Sequence, residues 1–385
     1  MQSLDLTRSA PPLRRLTIHH FRQHLERPIT TIMGPVTCRP ALLLRIEDAE
    51  GAAGWGEDWC NFPPDGDLHR KRIAANILPA ALSAGGLGAS PFAALATRFR
   101  SLALQAGEPG PMAQVAAAAD IALCDLAARR RGVSLTRFLG GLPRDVPAYA
   151  SGISPDIWEP QVARMRARGF KDFKLRIGFG PDDSLPVARR LHAALEAGES
   201  LRVDANQAWD IDRALHRVAD LEDLPLDWIE EPLPANAPLA DWRRLAEATR
   251  IPLAAGENLR DRADFADVIA RGDISVVQPD VCKWGGLTGG VEIARAAREA
   301  GRRYCPHFLG GGVGLMASAH VLAAVGGAGL LEVDSSDNLL NSALSAHDGG
   351  LSQGRFVVPD RPGLGYDPDI GGAADMLEDT VERVI

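Results

Sequence analysis

Four apolar segments in succession end in a carboxylate. The segments are RVDAN with Asp204, DWIEEP with Glu230, PLAAGEN with Glu257 and SVVQPD with Asp280. These acids are spaced by 26, 27 and 23 residues, which is the length of one strand, one helix and two loops. A carboxylate beside buried strands needs a partner, because an unpaired buried charge is costly. The spacing therefore indicates a ring of acidic side chains around one point.

The first three of these acids suit a divalent metal ion. Asp204, Glu230 and Glu257 would project from the ends of three adjacent strands. Oxygen ligands held on rigid strands favour Mg²⁺, which prefers hard ligands in octahedral geometry. The alternative for any one acid alone is that it caps the next helix or pairs with a surface arginine. Glu231 would point to the opposite face if its strand continues, so we expect it to lie behind the ligands.

The fourth acid has a basic partner in the sequence. Asp280 and His307 end the next two predicted strands, so their side chains can meet. An Asp that accepts a hydrogen bond from one imidazole nitrogen fixes the tautomer and raises the basicity of the other nitrogen. The pair predicts a general base. A structural histidine at a strand end is the alternative.

Two cations and a further acid complete the predicted pocket. Lys174 and Arg176 alternate along DFKLRIG, so both would face the same side and could bind a carboxylate or stabilise an enolate. Glu332 ends the last strand, where it could hydrogen-bond the substrate or cap the next helix. Four glycines between residues 310 and 314 suggest either a phosphate cradle or a tight loop.

The elements that must position these residues alternate regularly. Strands are predicted at 146–151, 172–178, 201–206, 226–231, 252–257, 274–280, 302–308 and 329–334, with helical patterns between them. This order predicts a modified TIM (β/α)₈-type barrel, in which the carboxyl ends of the strands surround one pocket. A helix over 113–132 is a candidate for the missing outer element.

The remaining segments predict a second body. We expect residues 1–125 to form an α+β capping domain, 126–350 the barrel, and 351–385 a C-terminal segment that returns to the cap. Two segments of the predicted cap, RPITTIMGPV and GEDWCNFPP, are candidates to close the pocket.

Composition limits the classes of function. The chain has 385 residues, 46% of them hydrophobic, and a net charge of −8, which is unlike a nucleic-acid binder with a basic face. Its five cysteines are scattered and form no C-x-x-C pair, so neither a zinc framework nor a disulfide scaffold is predicted. We find no signal peptide and no window of 18 apolar residues without charges or helix breakers, so no membrane span is predicted. We expect a cytoplasmic protein without nucleic-acid or membrane partners.

These motifs resemble those of the enolase superfamily, mandelate racemase subgroup. FKLR is similar to the K-x-K strand of that family, and VDANQAW, WIEEP and GEN are similar to its three metal-ligand motifs. PDVCKWGG with PHF resembles its Asp–His dyad, and LLEVD resembles its last-strand glutamate. The resemblance implies one Mg²⁺ per active site and removal of a proton α to the carboxylate of a small-molecule substrate.

The same resemblance implies further contacts. Substrate-binding roles are expected for Asn206, Asn258, Lys283, Trp59, Asn61 and Phe62. A homo-oligomer is expected as well.

One departure from the family pattern favours a particular reaction. Arg176 stands where the racemase has the second lysine of K-x-K, and a guanidinium is a poor base. We therefore predict an acid-sugar dehydratase that needs one base. The alternatives are a racemase or epimerase of a 2-hydroxy or amino acid that uses Lys174, a non-catalytic carboxylate-binding barrel, and a phosphate-binding barrel.

Overall fold

The computed structural model describes residues 11–107, 110–178, 180, 182–345 and 351–385. Elements are numbered along the chain. Four strands form the cap sheet: β1 (Leu13–Thr31), β2 (Gly34–Asp48), β3 (Ala53–Asp58) and β14 (Leu377–Val384). They run antiparallel in the order β14-β1-β2-β3, and Arg15 of β1 lies opposite Val384 of β14. The C-terminal segment therefore completes the cap sheet, as predicted.

The apolar run in β2 explains why this sheet is buried on both faces. Leu42 and Leu44 belong to the core of the cap helices, whereas Leu43 between them belongs to the barrel core. Successive side chains of a strand point to opposite faces, so three consecutive leucines join two cores. The sheet is thereby held between the cap helices and the barrel.

Five helices follow the first three strands. They are α1 (Gly66–Asn76), α2 (Leu78–Ser83), α3 (Pro91–Ala106), α4 (Gly110–Arg130) and α5 (Leu135–Phe138). Helix α4 packs directly on β3, because a Cβ at Gly54 would lie 2.2 Å from the Ala122 carbonyl oxygen and one at Gly56 would lie 2.0 Å from that of Ala118. The prediction that this helix supplies the missing outer element of the barrel was wrong, since its backbone lies against the cap sheet.

Helix α4 is also notable for its composition. Among the described helices it alone is long and apolar enough to span a membrane, and 83% of its apolar window is buried inside the protein. Its apolar residues are thus those of a core helix.

All eight predicted barrel strands are present. They are β4 (Val146–Ile153), β5 (Asp172–Arg176), β6 (Ser200–Asp204), β7 (Ile229–Glu230), β8 (Leu253–Ala255), β9 (Val276–Val277), β10 (Arg303–Tyr304) and β11 (Leu331–Asp334). They form one curled parallel sheet in the order β11-β4-β5-β6-β7-β8-β9-β10. The helices that alternate with them are α6 (Trp158–Ala167), α7 (Leu185–Ala193), α8 (Ile211–Leu221), α9 (Leu239–Ala248), α10 (Arg262–Arg271), α11 (Gly286–Glu299) and α12 (Gly312–Val325).

The first and last edges of this sheet meet at a seam. Within the described residues no backbone ladder joins β10 to β11. Instead, the Leu330 amide donates to Cys305 Sγ at 3.4 Å, and a Cβ at Gly329 would lie 1.9 Å from the Tyr304 carbonyl oxygen. The close backbone approach at Gly329 and side-chain contacts therefore hold the two edges together.

The end of the chain is short and irregular. It contains α13 (Leu339–Ala343), a hairpin of β12 (Leu351–Ser352) and β13 (Arg355–Phe356), and a 3₁₀ helix at Ala374–Met376 before β14. Strand β13 adds antiparallel to β4.

Candidate active site

The carboxyl ends of the barrel strands bring the predicted residues to one mouth. Arg176 lies opposite Asp204 in the β5–β6 ladder, and Asp204 lies opposite Glu230 in the β6–β7 ladder. Glu257 follows the end of β8, and Glu332 lies within β11. Three adjacent strands thus present one cation and two carboxylates side by side.

Lys174 lies at the centre of the acids. It is 1% exposed, and its Nζ contacts Glu230 Oε1 and lies 2.7 Å from Glu332 Oε1 and 3.6 Å from Asp204 Oδ2. Burial acts to lower the pKa of Lys174, but Glu230 and Glu332 outweigh it and hold the pKa well above its ordinary value. Lys174 is not among the described residues that line the cavity at the mouth. Lys174 therefore neutralises carboxylates from a position behind the cavity wall, and its amine is not available as a base in the cavity.

Glu230 is held by three donors. Besides Lys174, the Trp228 indole donates to its Oε2 at 3.1 Å and the Gln278 amide donates at 2.6 Å. Burial raises the pKa of Glu230 to about 8, with Lys174 opposing the rise and Asp204 adding to it. Burial is also the main cause of the raised pKa of Asp204. The positive charge of Lys174 therefore does not fully offset the cost of burying the carboxylates of Glu230 and Asp204.

The predicted dyad is present. His307 Nδ1 lies 2.8 Å from Asp280 Oδ2, and Nε2 lies 2.6 Å from Glu257 Oε2. The amides of Cys282 and Lys283 donate to Asp280 Oδ1 at 2.7 and 3.2 Å. Burial acts to lower the pKa of His307, but Glu257 and other carboxylates outweigh it and hold the pKa well above its usual range. The imidazole is therefore held between two acids.

Lys283 occupies the cap side of Glu257. Its Nζ donates to Glu257 Oε1 at 3.0 Å and to Asn258 Oδ1 at 3.3 Å, and lies 4.3 Å from the centre of the Trp59 ring. Burial acts to raise the pKa of Glu257, but His307 and Lys283 outweigh it and hold the pKa well below its usual range. Lys283 thus links a cap aromatic ring to the predicted metal ligand.

Glu231 does not lie where the sequence placed it. Strand β7 ends at Glu230, and Glu231 has a φ of 38°, which is uncommon outside glycine. Its side chain lines the cavity and accepts the Asn258 amide at 3.0 and 2.9 Å. Burial, and then the charge of Glu257, raises the pKa of Glu231 well above its usual value. The expectation that it points away was wrong, because the strand does not continue.

Two asparagines orient carboxylates. The backbone amide and Nδ2 of Asn206 donate to Asp204 at 2.8 and 2.9 Å. Asn258 Nδ2 donates to Glu257 at 3.0 Å as well as to Glu231. Both asparagines line the cavity, within reach of a bound molecule.

Arg176 joins the barrel to the cap. Its Nη1 donates to the Thr30 carbonyl oxygen at 2.9 Å, and Nη2 donates to Ser154 Oγ at 3.4 Å. Burial lowers the pKa of Arg176, with Asp204 the leading opposing charge. A guanidinium nevertheless stays protonated near neutral pH. Arg176 therefore brings a fixed positive charge to the cavity wall.

Both segments predicted to close the pocket line the cavity, which has a volume of 530 Å³. Residues 31–33 come from the β1–β2 hairpin tip, and Trp59, Asn61 and Phe62 follow β3. Asn61 Nδ2 donates to the Leu309 carbonyl oxygen at 2.8 Å, which fastens this segment to the barrel.

The glycine-rich loop does not form an open anion cradle. The Gly311 amide donates to Glu57 Oε1 at 2.5 Å, and the Gly314 amide donates to Glu57 Oε2 at 2.8 Å. Burial raises the pKa of Glu57 to about 7. The phosphate hypothesis for this loop was wrong, because a cap carboxylate already occupies two of its amides at the start of α12.

Two polar cavity residues of the cap were not predicted from the sequence. Arg70 of α1 and Gln114 of α4 line the cavity from the cap. No motif marks them, since each is a polar residue within an ordinary helical pattern. Only the packing of α1 and α4 over the mouth brings them to the site.

The donor set fits a hard divalent cation. The carboxylates at the mouth are Asp204, Glu230, Glu231, Glu257, Asp280 and Glu332, and its permanent cations are Lys174, Arg176 and Lys283. Acids outnumber cations, and every anionic donor is an oxygen, which suits Mg²⁺. Within the described residues no three His, Cys, Asp or Glu side chains already form a metal-binding group. In this arrangement Glu230 faces Lys174, and Glu257 faces His307.

Two family models together cover most of the chain. Residues 14–140 match the mandelate racemase/muconate lactonizing enzyme N-terminal domain, and residues 159–371 match the enolase C-terminal domain-like family. The chain belongs to the mandelate racemase/muconate lactonizing enzyme group of the enolase superfamily. The resemblance carried by the motifs is thus confirmed.

Sequence relatives within this group carry two kinds of activity in their names. D-galactarolactone cycloisomerase of Agrobacterium fabrum is 28% identical over 370 residues, which is 91% of this chain and 94% of the relative. L-talarate/galactarate dehydratase of Salmonella typhimurium is 30% identical over 343 residues, which is 86% of this chain and 81% of the relative. These two relatives are thus named for reactions of acid sugars, one as a cycloisomerase and the other as a dehydratase.

Solved structures of the group share the whole fold. A mandelate racemase/muconate lactonizing enzyme from Bordetella bronchiseptica RB50 is 45% identical with a TM-score of 0.89, covering 96% of this chain and 100% of its own. L-talarate dehydratase from Polaromonas sp. JS666, solved with Mg and L-glucarate, is 26% identical with a TM-score of 0.81, covering 98% of this chain and 100% of its own. The predicted barrel with its cap is therefore confirmed.

Proposed function

We propose that this protein is a Mg²⁺-dependent acid-sugar dehydratase. The observation that carries the proposal is the His307–Asp280 pair, whose nitrogen and oxygen lie 2.8 Å apart at the mouth that also holds the acid cluster. On the cavity wall stands Arg176, which cannot serve as a second base. The dehydratases among the relatives support the same reaction class.

Asp204, Glu230 and Glu257 are the residues that we propose to hold Mg²⁺. When bound, the cation would supply positive charge beside the substrate carboxylate and so favour loss of the α-proton. Asn206 and Asn258 donate to two of these carboxylates and fix their orientation.

His307 is the proposed base. Its Nε2 takes the α-proton, while Asp280 retains Nδ1 and stabilises the imidazolium that forms. The breaking C–H bond leaves its electron pair on the substrate as an enediolate. Arg176 and Lys283, which line the cavity, donate hydrogen bonds to the developing negative charge.

The leaving group is the hydroxyl on the adjacent carbon. His307 returns its proton to this hydroxyl, the C–O bond breaks, and water departs. The resulting enol takes up a proton and becomes a 2-keto-3-deoxy acid. The imidazole ends neutral, so one residue serves as base and then as acid.

Racemisation needs a second base on the opposite face of the substrate. Lys174, the candidate for that role, is enclosed by Glu230 and Glu332 and does not line the cavity among the described residues. This arrangement favours a one-base reaction. A non-catalytic binder has no use for the dyad.

A cycloisomerase is the second candidate, because a relative matched over 91% of this chain carries that name. It would share the proton removal by His307 and differ in that no water is lost. The mass of the product separates the two reactions.

The test is a screen of mono- and dicarboxylic acid sugars with Mg²⁺. We expect a 2-keto product that is lighter than the substrate by one water, and exchange of solvent deuterium into the α-position of the remaining substrate in ²H₂O. His307→Asn should lower both by about 10³-fold. The matched control is His216→Asn, an exposed histidine on α8. Unchanged exchange in His307→Asn would remove the base assignment. A product of unchanged mass would exclude the dehydratase; a constitutional isomer of the substrate would then select the cycloisomerase, and a stereoisomer would select the racemase or epimerase.

Other expectations stay predictions: the domain limits at 125 and 350, a cytoplasmic location, and a homo-oligomer without nucleic-acid or membrane partners. Size-exclusion chromatography with light scattering measures the oligomeric state.

A further inference from the structure

A second polar cluster lies on the cap wall of the same cavity. Arg70 of α1 and Gln114 of α4 line it there, and Pro111 lines it at the start of α4. Arg70 is 4% exposed and Gln114 is 8% exposed. Neither residue contacts the acids at the barrel mouth. The cavity therefore has two polar ends, one on the barrel and one on the cap.

Arg70 is fixed in place with one nitrogen unused. Its Nε donates to Gln114 Oε1 at 2.8 Å, and Nη1 donates to the Gly66 carbonyl oxygen at 3.0 Å. Within the part of the chain that the structure describes, Nη2 of Arg70 and Nε2 of Gln114 have no hydrogen-bond partner. Neither atom is sealed from solvent, so both can reach a ligand in the cavity.

The charge of Arg70 also has no counter-ion in place. No carboxylate of the described residues lies within 4.0 Å of the guanidinium. Asp58 is close enough for Arg70 to lower its pKa, but burial outweighs this effect and raises the pKa of Asp58 well above its usual value. A buried guanidinium without an anion is costly, and it favours binding of an anion from solution.

The geometry points to a distal carboxylate subsite. We propose that Arg70 Nη2 and Gln114 Nε2 bind a second carboxylate at the end of the substrate remote from His307, and that the enzyme prefers dicarboxylic acid sugars. This inference rests on the proposed function. Two neighbouring N–H donors match the two oxygens of a carboxylate, and a charged donor strengthens the contact. The terminal hydroxyl of a monoacid receives no such charge pairing.

Galactarate and galactonate provide the test, because they differ at the terminal carbon, where one has a carboxylate and the other a hydroxymethyl group. Binding is measured by calorimetry with Mg²⁺ in the His307→Asn background, where turnover does not interfere. Aldaric and aldonic acids of the gluco and manno configurations are measured in the same way. We expect at least one diacid to bind about 10- to 100-fold more tightly than its monoacid partner.

Arg70→Met should reduce that ratio to about one while binding of the monoacid stays within about threefold. Arg295→Met is the matched control, since Arg295 donates to the Leu139 carbonyl oxygen and does not line the cavity among the described residues. Gln114→Leu keeps Arg70 and should reduce the ratio of diacid to monoacid affinity only in part. This variant provides the test if Arg70→Met does not fold.

Equal binding of every pair by the parent protein, or a ratio that survives both substitutions, would overturn the subsite. If the proposed dehydratase reaction is wrong but the subsite is right, the result is different. In that case the diacid preference persists in calorimetry, but no acid sugar yields a 2-keto product.

Discussion

Nε2 of His307 lies 2.6 Å from Oε2 of Glu257. The nitrogen assigned as the base is therefore bonded to a carboxylate assigned to the metal. A cation bound by Glu257 would compete with Nε2 for this carboxylate, so we expect metal binding to release the base. The enzyme without metal would be protected from adventitious proton transfer.

This coupling predicts that Mg²⁺ exposes His307 to chemical modification. Diethyl pyrocarbonate acylates an unprotonated imidazole nitrogen, and without metal Nε2 is held by Glu257. We expect Mg²⁺ to increase the rate of acylation at His307 by about tenfold or more. Peptide mass spectrometry measures each site. Exposed His69 on α1 is the internal control, and its rate should not change. A rate at His307 that falls on adding Mg²⁺ would argue against the coupling.

Glu230→Gln should weaken Mg²⁺ binding. The substitution keeps the shape of the side chain but removes the negative charge that would pair with the cation. We expect the dissociation constant for Mg²⁺, measured by calorimetry, to rise by about tenfold or more. Glu222→Gln is the control, because Glu222 pairs with Arg250 outside the cavity. Equal affinity in the two variants would exclude Glu230 as a ligand.

Arg176→Met should affect both catalysis and the cap. The variant loses the charged donor on the cavity wall and the hydrogen bond to the Thr30 carbonyl oxygen. We expect kcat/KM on acid sugars to fall by about 10²-fold. Hydrogen exchange should also become faster in the β1–β2 hairpin. Arg27→Met, an exposed arginine of β1, should change neither measurement. Full activity with a freely exchanging hairpin would assign Arg176 to the cap alone.

His320 predicts acid sensitivity of folding. Its Nδ1 accepts from the Thr136 amide at 3.2 Å, and its Nε2 lies 3.2 Å from the Leu364 carbonyl oxygen. Burial lowers the pKa of His320 from 6.5 to about 4. A depressed folded pKa contributes stability above pH 6.5 that is lost as pH falls toward 4, because the unfolded chain takes up the proton first. The loss is about 3 kcal/mol.

Urea unfolding at pH 7.5 and pH 4.5 measures this loss. We expect His320→Gln to be less stable at pH 7.5 and to lose less stability on acidification than the parent protein. His69→Gln, at an exposed position, should keep the parent's pH dependence. Parallel pH profiles for all three proteins would mean that His320 is not the group responsible.

Much of this fold could be predicted, because strand-end carboxylates recur at the period of a β/α unit. The ladder pairing of Asp204 with Glu230 follows from that period. The placement of Lys174 could not be derived in the same way. Strand alternation puts Lys174 and Arg176 on one side, but it does not reveal that the first is enclosed by acids while the second reaches the cavity.

The other features that the sequence did not predict depend on strand boundaries and on contacts between distant parts of the chain. Glu231 turns into the cavity because β7 ends one residue earlier, and a single-residue strand boundary lies below the resolution of sequence patterns. Glu57 and the glycine loop are more than 250 residues apart in the chain, so no local signal links them. Arg70 and Gln114 likewise meet only through the packing of two cap helices.

The pairing of β14 with β1 determines when the cap sheet can be completed during synthesis of the chain. Residues 13–31 are synthesised before the barrel, whereas the strand that pairs with their outer edge, residues 377–384, is synthesised after it. Throughout synthesis of the barrel, the nascent cap sheet therefore has an unpaired edge strand, a surface prone to pairing with other chains. Closure of that edge by residues 377–384 couples completion of the cap sheet to synthesis of the segment that follows the barrel.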